Sequence, residues 1–132
     1  MIVLDASAGI ELLLETRGTG AAVRERLAAT DGGVHVPHLF DVEIVSVLRR
    51  LERSGHLQPQ RAIQALEALA DLPLVRYPHW PLQARVWALR ANVNPYDGVY
   101  LALAEVLEAV LLTGDAKLAR VPGAGASVEV VA

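Results

Sequence analysis

The sequence predicts an α/β fold built on a mainly parallel sheet. Short β-branched apolar runs, read as strands, alternate with longer amphipathic runs, read as helices. Successive strands are separated by enough chain for helical crossovers, which place them parallel and cover both faces of the sheet. The 132 residues are 53% apolar and 20% charged, a balance that suits a buried core. We expect one domain over residues 1–132, able to bury about two-thirds of its unfolded surface without a disulfide or metal staple.

Ile2-Val3-Leu4 is the first strand and ends at Asp5. Ser7 is placed to cap a helix running to about Glu15. After the break at Arg17-Gly18, a second helix spans Thr19 to about Ala29 and stops at Thr30-Asp31-Gly32-Gly33. Val34-His35-Val36 is a strand, and Pro37 opens a helix from about His38 to Ser54 that Gly55 ends. Pro59 starts another helix, to about Ala70. Leu74-Val75-Arg76 is the third strand, followed by a helix from near Pro81 to Arg90. Asn94-Pro95 opens a helix to Glu108, and Ala109 to Leu112 is the fourth strand. Gly114 to Gly125 reads as a loop with one helical turn, and Val128 to Val131 as the last strand. The pattern leaves the strand order open.

The absence of cysteine excludes a disulfide scaffold, a zinc ribbon and a thiol nucleophile. No apolar stretch approaches the roughly 18–20 residues of a membrane span, and no basic segment precedes an apolar run at the start. A soluble, cytoplasmic protein without a membrane partner is expected. The net charge of −3 means that any nucleic acid must be met by a local patch rather than by the whole surface.

In a parallel sheet, ligands bind outside the carboxyl ends of the strands, so polar residues that directly follow strands are candidates. Asp5 follows the first strand, and Asp115 follows the fourth after Thr113-Gly114. Each reads equally as a helix cap. Asp97 stands third in a helix that Asn94 caps and Pro95 opens, where a carboxylate also meets the positive end of the helix dipole. Glu43 departs from its helix's pattern. At about 100° per residue it lies beside Leu39, Phe40, Ile44, Val47 and Leu51, whereas Asp41 and Glu52 lie far round the wheel. A carboxylate on an apolar border needs a partner: an arginine, for which Arg50, one turn past Val47, is placed, a hydrogen-bond network or a metal.

Four gathered carboxylates repel one another unless a cation enters, and Lys117 is the only lysine. An all-oxygen set suits Mg²⁺, or Mn²⁺, rather than zinc. The histidines show no ligand spacing, and His35 and His38, flanking Pro37, read as surface or capping residues. Trp80 and Trp87, seven apart, read as packing or as a dimer surface. Tyr96 reads either as core or as a residue that stacks a base. Arg49, Arg50, Arg53 and Arg61 stand close in sequence with only Glu52 against them. A phosphotransfer enzyme with a nucleophilic aspartate is disfavoured, because Asp5-Ala6-Ser7 lacks a second carboxylate.

Four segments taken in order resemble the motifs of PIN-domain proteins, specifically the VapC-type toxins of type II toxin–antitoxin modules: MIVLDASAGIELL, PHLFDVEIVSVLRR, NPYDGVYLALAE and LLTGDAKLARVPG. The resemblance implies a three-layer α/β/α sandwich around the parallel sheet. It implies an Mg²⁺-dependent endoribonuclease in which Asp5, Glu43, Asp97 and Asp115 are the catalytic and metal-binding acids, with Asp5 and Asp97 as core ligands. Ser7 and Thr113 match the small hydroxyl positions that steady ligands or water. Many relatives carry another acid just after the last aspartate, where this chain has Lys117 and Arg120. Arg49, Arg50, Lys117 and Arg120 are the candidate RNA contacts. The partners implied are RNA, a cognate VapB-like antitoxin and a second copy of the chain. The helices at Ser7–Glu15 and His38–Ser54, rich in leucine and valine, read either as an apolar groove that seats the antitoxin or as ordinary core. The rival is a catalytically silent module that binds RNA or protein on the same fold.

Overall fold

The computed structural model describes residues 1–131. Five strands, β1 (Ile2–Leu4), β2 (Val34–Pro37), β3 (Leu74–Tyr77), β4 (Val110–Thr113) and β5 (Ser127–Val130), form one sheet. Its order is β3-β2-β1-β4-β5, and every pairing is parallel. Six α-helices connect the strands: α1 (Ala6–Leu13), α2 (Thr19–Ala28), α3 (Leu39–Arg53), α4 (Pro59–Asp71), α5 (Gln83–Ala88) and α6 (Pro95–Leu107). Right-handed crossovers put α1 to α4 on one face and α5 and α6 on the other. The α/β/α sandwich is as expected, and element boundaries differ from expectation by one or two residues.

Burial explains the layering. All of β1 is buried at the centre of the sheet, and α6 is buried continuously from Gly98 to Ala104. Such a helix, apolar nearly all round, belongs against the middle of a sheet, and α6 lies along β1, β2 and β4. The expected helix through Pro81–Arg90 is instead a 3-10 turn, Trp80–Leu82, followed by the short α5. Trp80 and Trp87 therefore do not share one helix face, and both are exposed rather than packed. Tyr96 is exposed as well, not core.

Two local expectations are corrected. The cap of α1 is Asp5, whose carboxylate accepts from the Ala8 N–H at 3.0 Å, and Ser7 lies inside the helix. His35 is buried rather than superficial. Its Nε2 lies 2.7 Å from the Gly32 carbonyl, which only accepts, so Nε2 carries the hydrogen, and Nδ1 lies 2.7 Å from the Tyr77 hydroxyl.

The contact between α1 and α2 depends on a missing side chain. A Cβ on Gly20 would lie 2.5 Å from the Glu11 carbonyl oxygen, which as backbone in α1 cannot step aside. Gly20→Ala is expected to destabilise the protein by about 1–3 kcal/mol in a urea titration. An unchanged unfolding midpoint would show that the two helices separate freely.

Candidate metal centre

The strand order reverses between β1 and β4, the point where parallel sheets open a crevice at their carboxyl ends. Asp5 leaves β1 there, and Thr113 ends β4 beside it. The two loops are laced together by hydroxyls. Ser7 O–H donates to Asp5 Oδ1 at 2.6 Å, and Thr113 O–H donates to Asp5 Oδ2. In return, Gly114 N–H donates to Ser7 Oγ at 2.9 Å, and Asp115 N–H donates to Thr113 Oγ1 at 3.0 Å. Thr113 is fully buried and Asp5 nearly so, which makes this lattice the rigid floor of the site.

The other two acids come from opposite faces of the sandwich. Asp97 stands in the first turn of α6, held as the sequence predicts by Asn94, whose Oδ1 accepts from the Asp97 N–H at 2.9 Å. Glu43 projects from α3 and accepts from the Tyr100 hydroxyl on α6 at 2.6 Å. Of the partners expected for Glu43, the structure shows the hydrogen bond, and Arg50 forms no ion pair with it among the described residues. Tyr100 was not among the sequence candidates. The signal was its position three residues after Asp97, which puts both side chains on neighbouring parts of one helix face.

Asp5, Glu43, Asp97 and Asp115 all line one cleft of about 360 Å³, together with Ser7, Tyr100 and Arg50. Burial raises the pKa values of Asp5, Glu43 and Asp97. Hydrogen bonds from Ser7, Tyr100 and Asn94 oppose this, and the neighbouring carboxylates add to it. Asp5 feels the charge of Asp115, Glu43 feels Asp97 and Asp5, and Asp97 feels Asp5 and Asp115. Among the described residues, the ion pairs are Arg24–Glu15, Arg26–Glu129, Arg76–Asp41 and Arg85–Glu105, so none neutralises the cleft.

Glu43, Asp97 and Asp115 are each oriented through one oxygen and keep the other open, whereas Asp5 is held through both and keeps accepting capacity on one. Asp5 Oδ1 takes two donors and Oδ2 one; Glu43 is held through Oε1, Asp97 through Oδ2 from Asn94 Nδ2, and Asp115 through Oδ1 from the Lys117 N–H. Glu43 Oε2, Asp97 Oδ1, Asp115 Oδ2 and one lone pair of Asp5 Oδ2 are left without a protein donor among the described residues. Among those residues no group of three or more acids or histidines is placed so that it could hold a metal ion. Mg²⁺ does not need three such ligands. It keeps several of its waters and binds through one or two carboxylates with substrate phosphate completing the shell. The hard, oriented, uncompensated oxygen set fits such an ion.

The candidate RNA contacts divide by position. Arg50 lines the cleft, Arg49 is exposed on the same helix, and Lys117 and Arg120 are exposed in the 3-10 turn after Asp115. Arg61 is committed elsewhere, donating to the Leu13 carbonyl at 3.0 Å. Between α1 and α3 the expectation of ordinary core describes Phe40, Ile44 and Leu48 of α3, which are buried. An apolar hollow of about 340 Å³ opens instead where Leu12 and Leu13 of α1 meet Leu27 of α2 and Ala68 and Leu72 near the end of α4. No helix among the described residues is long and apolar enough to cross a membrane.

Removing the Tyr100 hydroxyl leaves Glu43 half-buried and unheld, at a cost of about 1–3 kcal/mol for an orphaned charged acceptor. Tyr100→Phe is expected to weaken Mn²⁺ binding about tenfold by calorimetry, while Tyr96→Phe, at an exposed site, changes it little. Equal affinities in the two variants would remove Tyr100 from the site's design.

Comparison with known proteins places these features in a family context. The PIN domain profile matches residues 2–124. Ribonuclease VapC9 of Mycobacterium tuberculosis is 42% identical over 118 residues, 89% of this chain and 88% of its own. Ribonuclease VapC12 of the same organism is 39% identical over 132 residues, the full length of both. Among solved structures, M. tuberculosis VapC20, described as a sarcin-ricin loop cleaving toxin, superposes with a TM-score of 0.73 at 17% identity over the whole of both chains. VapBC2 of Rickettsia felis, solved with a DNA fragment of its promoter, superposes at 0.71 with 13% identity, again over the whole of both chains.

Proposed function

The chain belongs to the PIN-domain family, in its VapC ribonuclease branch, and from that premise we propose that it is the toxin of a toxin–antitoxin module, a divalent-metal-dependent endoribonuclease that hydrolyses RNA phosphodiester bonds. The observation that carries the reading is the cleft at the strand-order reversal. There, four carboxylates are each held by protein donors, with accepting capacity to spare and no cation among the described residues in an ion pair with them.

Asp5 and Asp97 would hold the ion, with Asp115 and Glu43 beside it. When bound, Mg²⁺ or Mn²⁺ supplies an acidified water and offsets charge on the phosphate. The residues supply position. Asp5 is fixed by three protein donors, so it presents its open lone pair in one direction. Glu43 Oε2 and Asp115 Oδ2 are free to orient the attacking water and accept its proton. Ser7 and Thr113 each donate to Asp5 and accept a backbone N–H, so both hydroxyls are spent on fixing that carboxylate, and no histidine or lysine among the described residues is hydrogen-bonded to either as the base a nucleophile needs. Arg50 in the cleft and the exposed Lys117 and Arg120 are placed to meet backbone phosphate, so binding should weaken steeply with salt.

Attack by water leaves a 5′-phosphate, and the RNA 2′-hydroxyl is not needed. Sequencing RNA ends from cells expressing the wild type beside an Asp5→Asn control should reveal new 5′-phosphate ends in the wild type alone. Ends bearing 2′,3′-cyclic phosphate would overturn the mechanism, and no new ends in either would favour the silent RNA- or protein-binding alternative. The regulatory partner is a VapB-like antitoxin, and the apolar hollow among α1, α2 and α4 offers it a seat. Self-association to a homodimer is checked by sedimentation.

A further inference from the structure

The exposed aromatic residues lie close to the acidic cleft in sequence and in space. Trp87 is 67% exposed and Tyr96 62% exposed, costly positions for large apolar side chains. Trp87 is nevertheless held in place. The Arg90 guanidinium carbon stacks 4.3 Å from its ring centroid, and Arg90 also donates to the Trp87 carbonyl at 2.9 Å. Beside it opens a hollow of about 430 Å³, walled by Trp87 and Val86 of α5 and by Pro95 and Val99 of α6. Pro95 and Asp97 share the first turn of α6, so the hollow and the cleft lie on two sides of one helix start. At about 100° per residue, Tyr96 falls between the side carrying Pro95 and Val99 and the side carrying Asp97 and Tyr100.

We infer that this hollow is a stacking subsite for an unpaired nucleotide of the RNA substrate, next to the scissile bond, with Trp87 as its platform and Arg90 as its phosphate contact. The inference rests on the ribonuclease reading and adds to it which residues select single strands. Its walls are almost wholly apolar, so the slot fits the face of a base and not its edges. Recognition of that kind is tolerant of sequence and requires a base free of its duplex. Arg90 makes no ion pair among the described residues, so its charge is free for an anion that a base brings with it. A second copy of this chain is the competing occupant. The helix start shared with the cleft, through Pro95 on one side and Asp97 on the other, and the unpaired cation favour RNA.

The test uses the full chain in an Asp97→Asn background with Mg²⁺ present, and ten-nucleotide oligoadenylate, oligouridylate and a ten-base-pair RNA duplex as probes. Fluorescence anisotropy should give similar affinities for the two single strands and at least about tenfold weaker binding of the duplex. Trp87→Leu, which keeps bulk but loses the aromatic face, should weaken single-strand binding about tenfold, and Trp87→Phe should restore most of it. With Asp97 restored, Trp87→Leu should raise KM more than it lowers kcat. If Trp87→Leu and Trp87→Phe behave alike, stacking is wrong. If Trp87→Leu converts a dimer to a monomer in sedimentation, the face is a subunit interface and the inference falls. If the wild type cuts RNA and Trp87→Leu cuts it equally well, the subsite falls while the ribonuclease reading stands. If the wild type neither binds nor cuts RNA, both fall.

Discussion

Asp97→Asn is expected to lower RNA cleavage about a thousandfold or more and, in the same protein, to raise the melting temperature of the metal-free state by a few degrees. The first effect follows from the proposed role of Asp97 as an anionic ligand where charge must be offset in the transition state. The second follows from the same charge seen without its cation. Burial raises the pKa of Asp97, and Asp5 and Asp115 add to the rise. An acid whose pKa rises on folding binds its proton more tightly in the native state. Its contribution to stability is greatest below the ordinary value of 3.8, declines as pH climbs to the native value and stays lowered above it. Neutral asparagine removes that penalty, and its side-chain oxygen can still accept from Asn94. Loss of a favourable charge at the start of α6 offsets about 0.3–1 kcal/mol of the gain, which is why the rise is small. Thermal melts of both proteins in chelator at pH 5 and pH 7.5 test this, with the larger difference at pH 7.5. A variant that loses both activity and stability would mean that Asp97 serves the fold rather than a cation.

Most of the architecture was legible because its rules are local. The β-branched triplet Ile2–Leu4, the pair Asn94-Pro95 and the helix opened by Pro59 each announce their element by chemistry that no neighbour overrides. The strand order was not legible, since a right-handed crossover is the same whichever side the next strand joins. That order matters most for function, because it puts the reversal between β1 and β4 and so brings Asp5 to Thr113 across more than a hundred residues. The segment Pro81–Arg90 misled for a physical reason: Pro81 suits a tight first turn, and only a short α5 follows before the chain must turn to reach Asn94.

The acids of the site were legible singly as oddities, and the structure shows why each oddity had two explanations. Asp5 does cap α1 and Asp115 does accept from Lys117 N–H, so the ordinary reading of each is correct. Each cap uses one oxygen and leaves accepting capacity on the other, so the capping role does not exclude the proposed ligand role. The donors that aim them were harder to foresee. Tyr100 reads as core from its apolar surroundings and is indeed almost wholly buried; that its hydroxyl meets Glu43 depends on how α3 and α6 converge over the sheet. Arg61 shows the opposite failure, an apparent member of a basic patch that is spent on a helix carbonyl.

Stripping divalent ions with chelator is expected to abolish cleavage, with Mg²⁺ or Mn²⁺ restoring it. Added ion should also raise the melting temperature of the wild type far more than that of Asp97→Asn. The two readouts have one origin. Three of the cleft's acids are pushed toward their protonated forms by burial and by each other, so in ion-free protein the cleft costs stability that a bound cation would restore. A ligand that binds only the native state at one hundred times its dissociation constant adds about 2.7 kcal/mol, or roughly 10 °C for a chain of this size. Protons compete for the same oxygens, so the shift should shrink as the pH is lowered toward the raised carboxylate values. Because Arg50 lines the cleft without pairing to it, high salt should reduce RNA binding while leaving the ion-dependent rise in melting temperature less affected. Activity that survives exhaustive chelation, or a melting temperature indifferent to Mn²⁺ in the wild type, would mean that these oxygens are open for some other purpose than a cation.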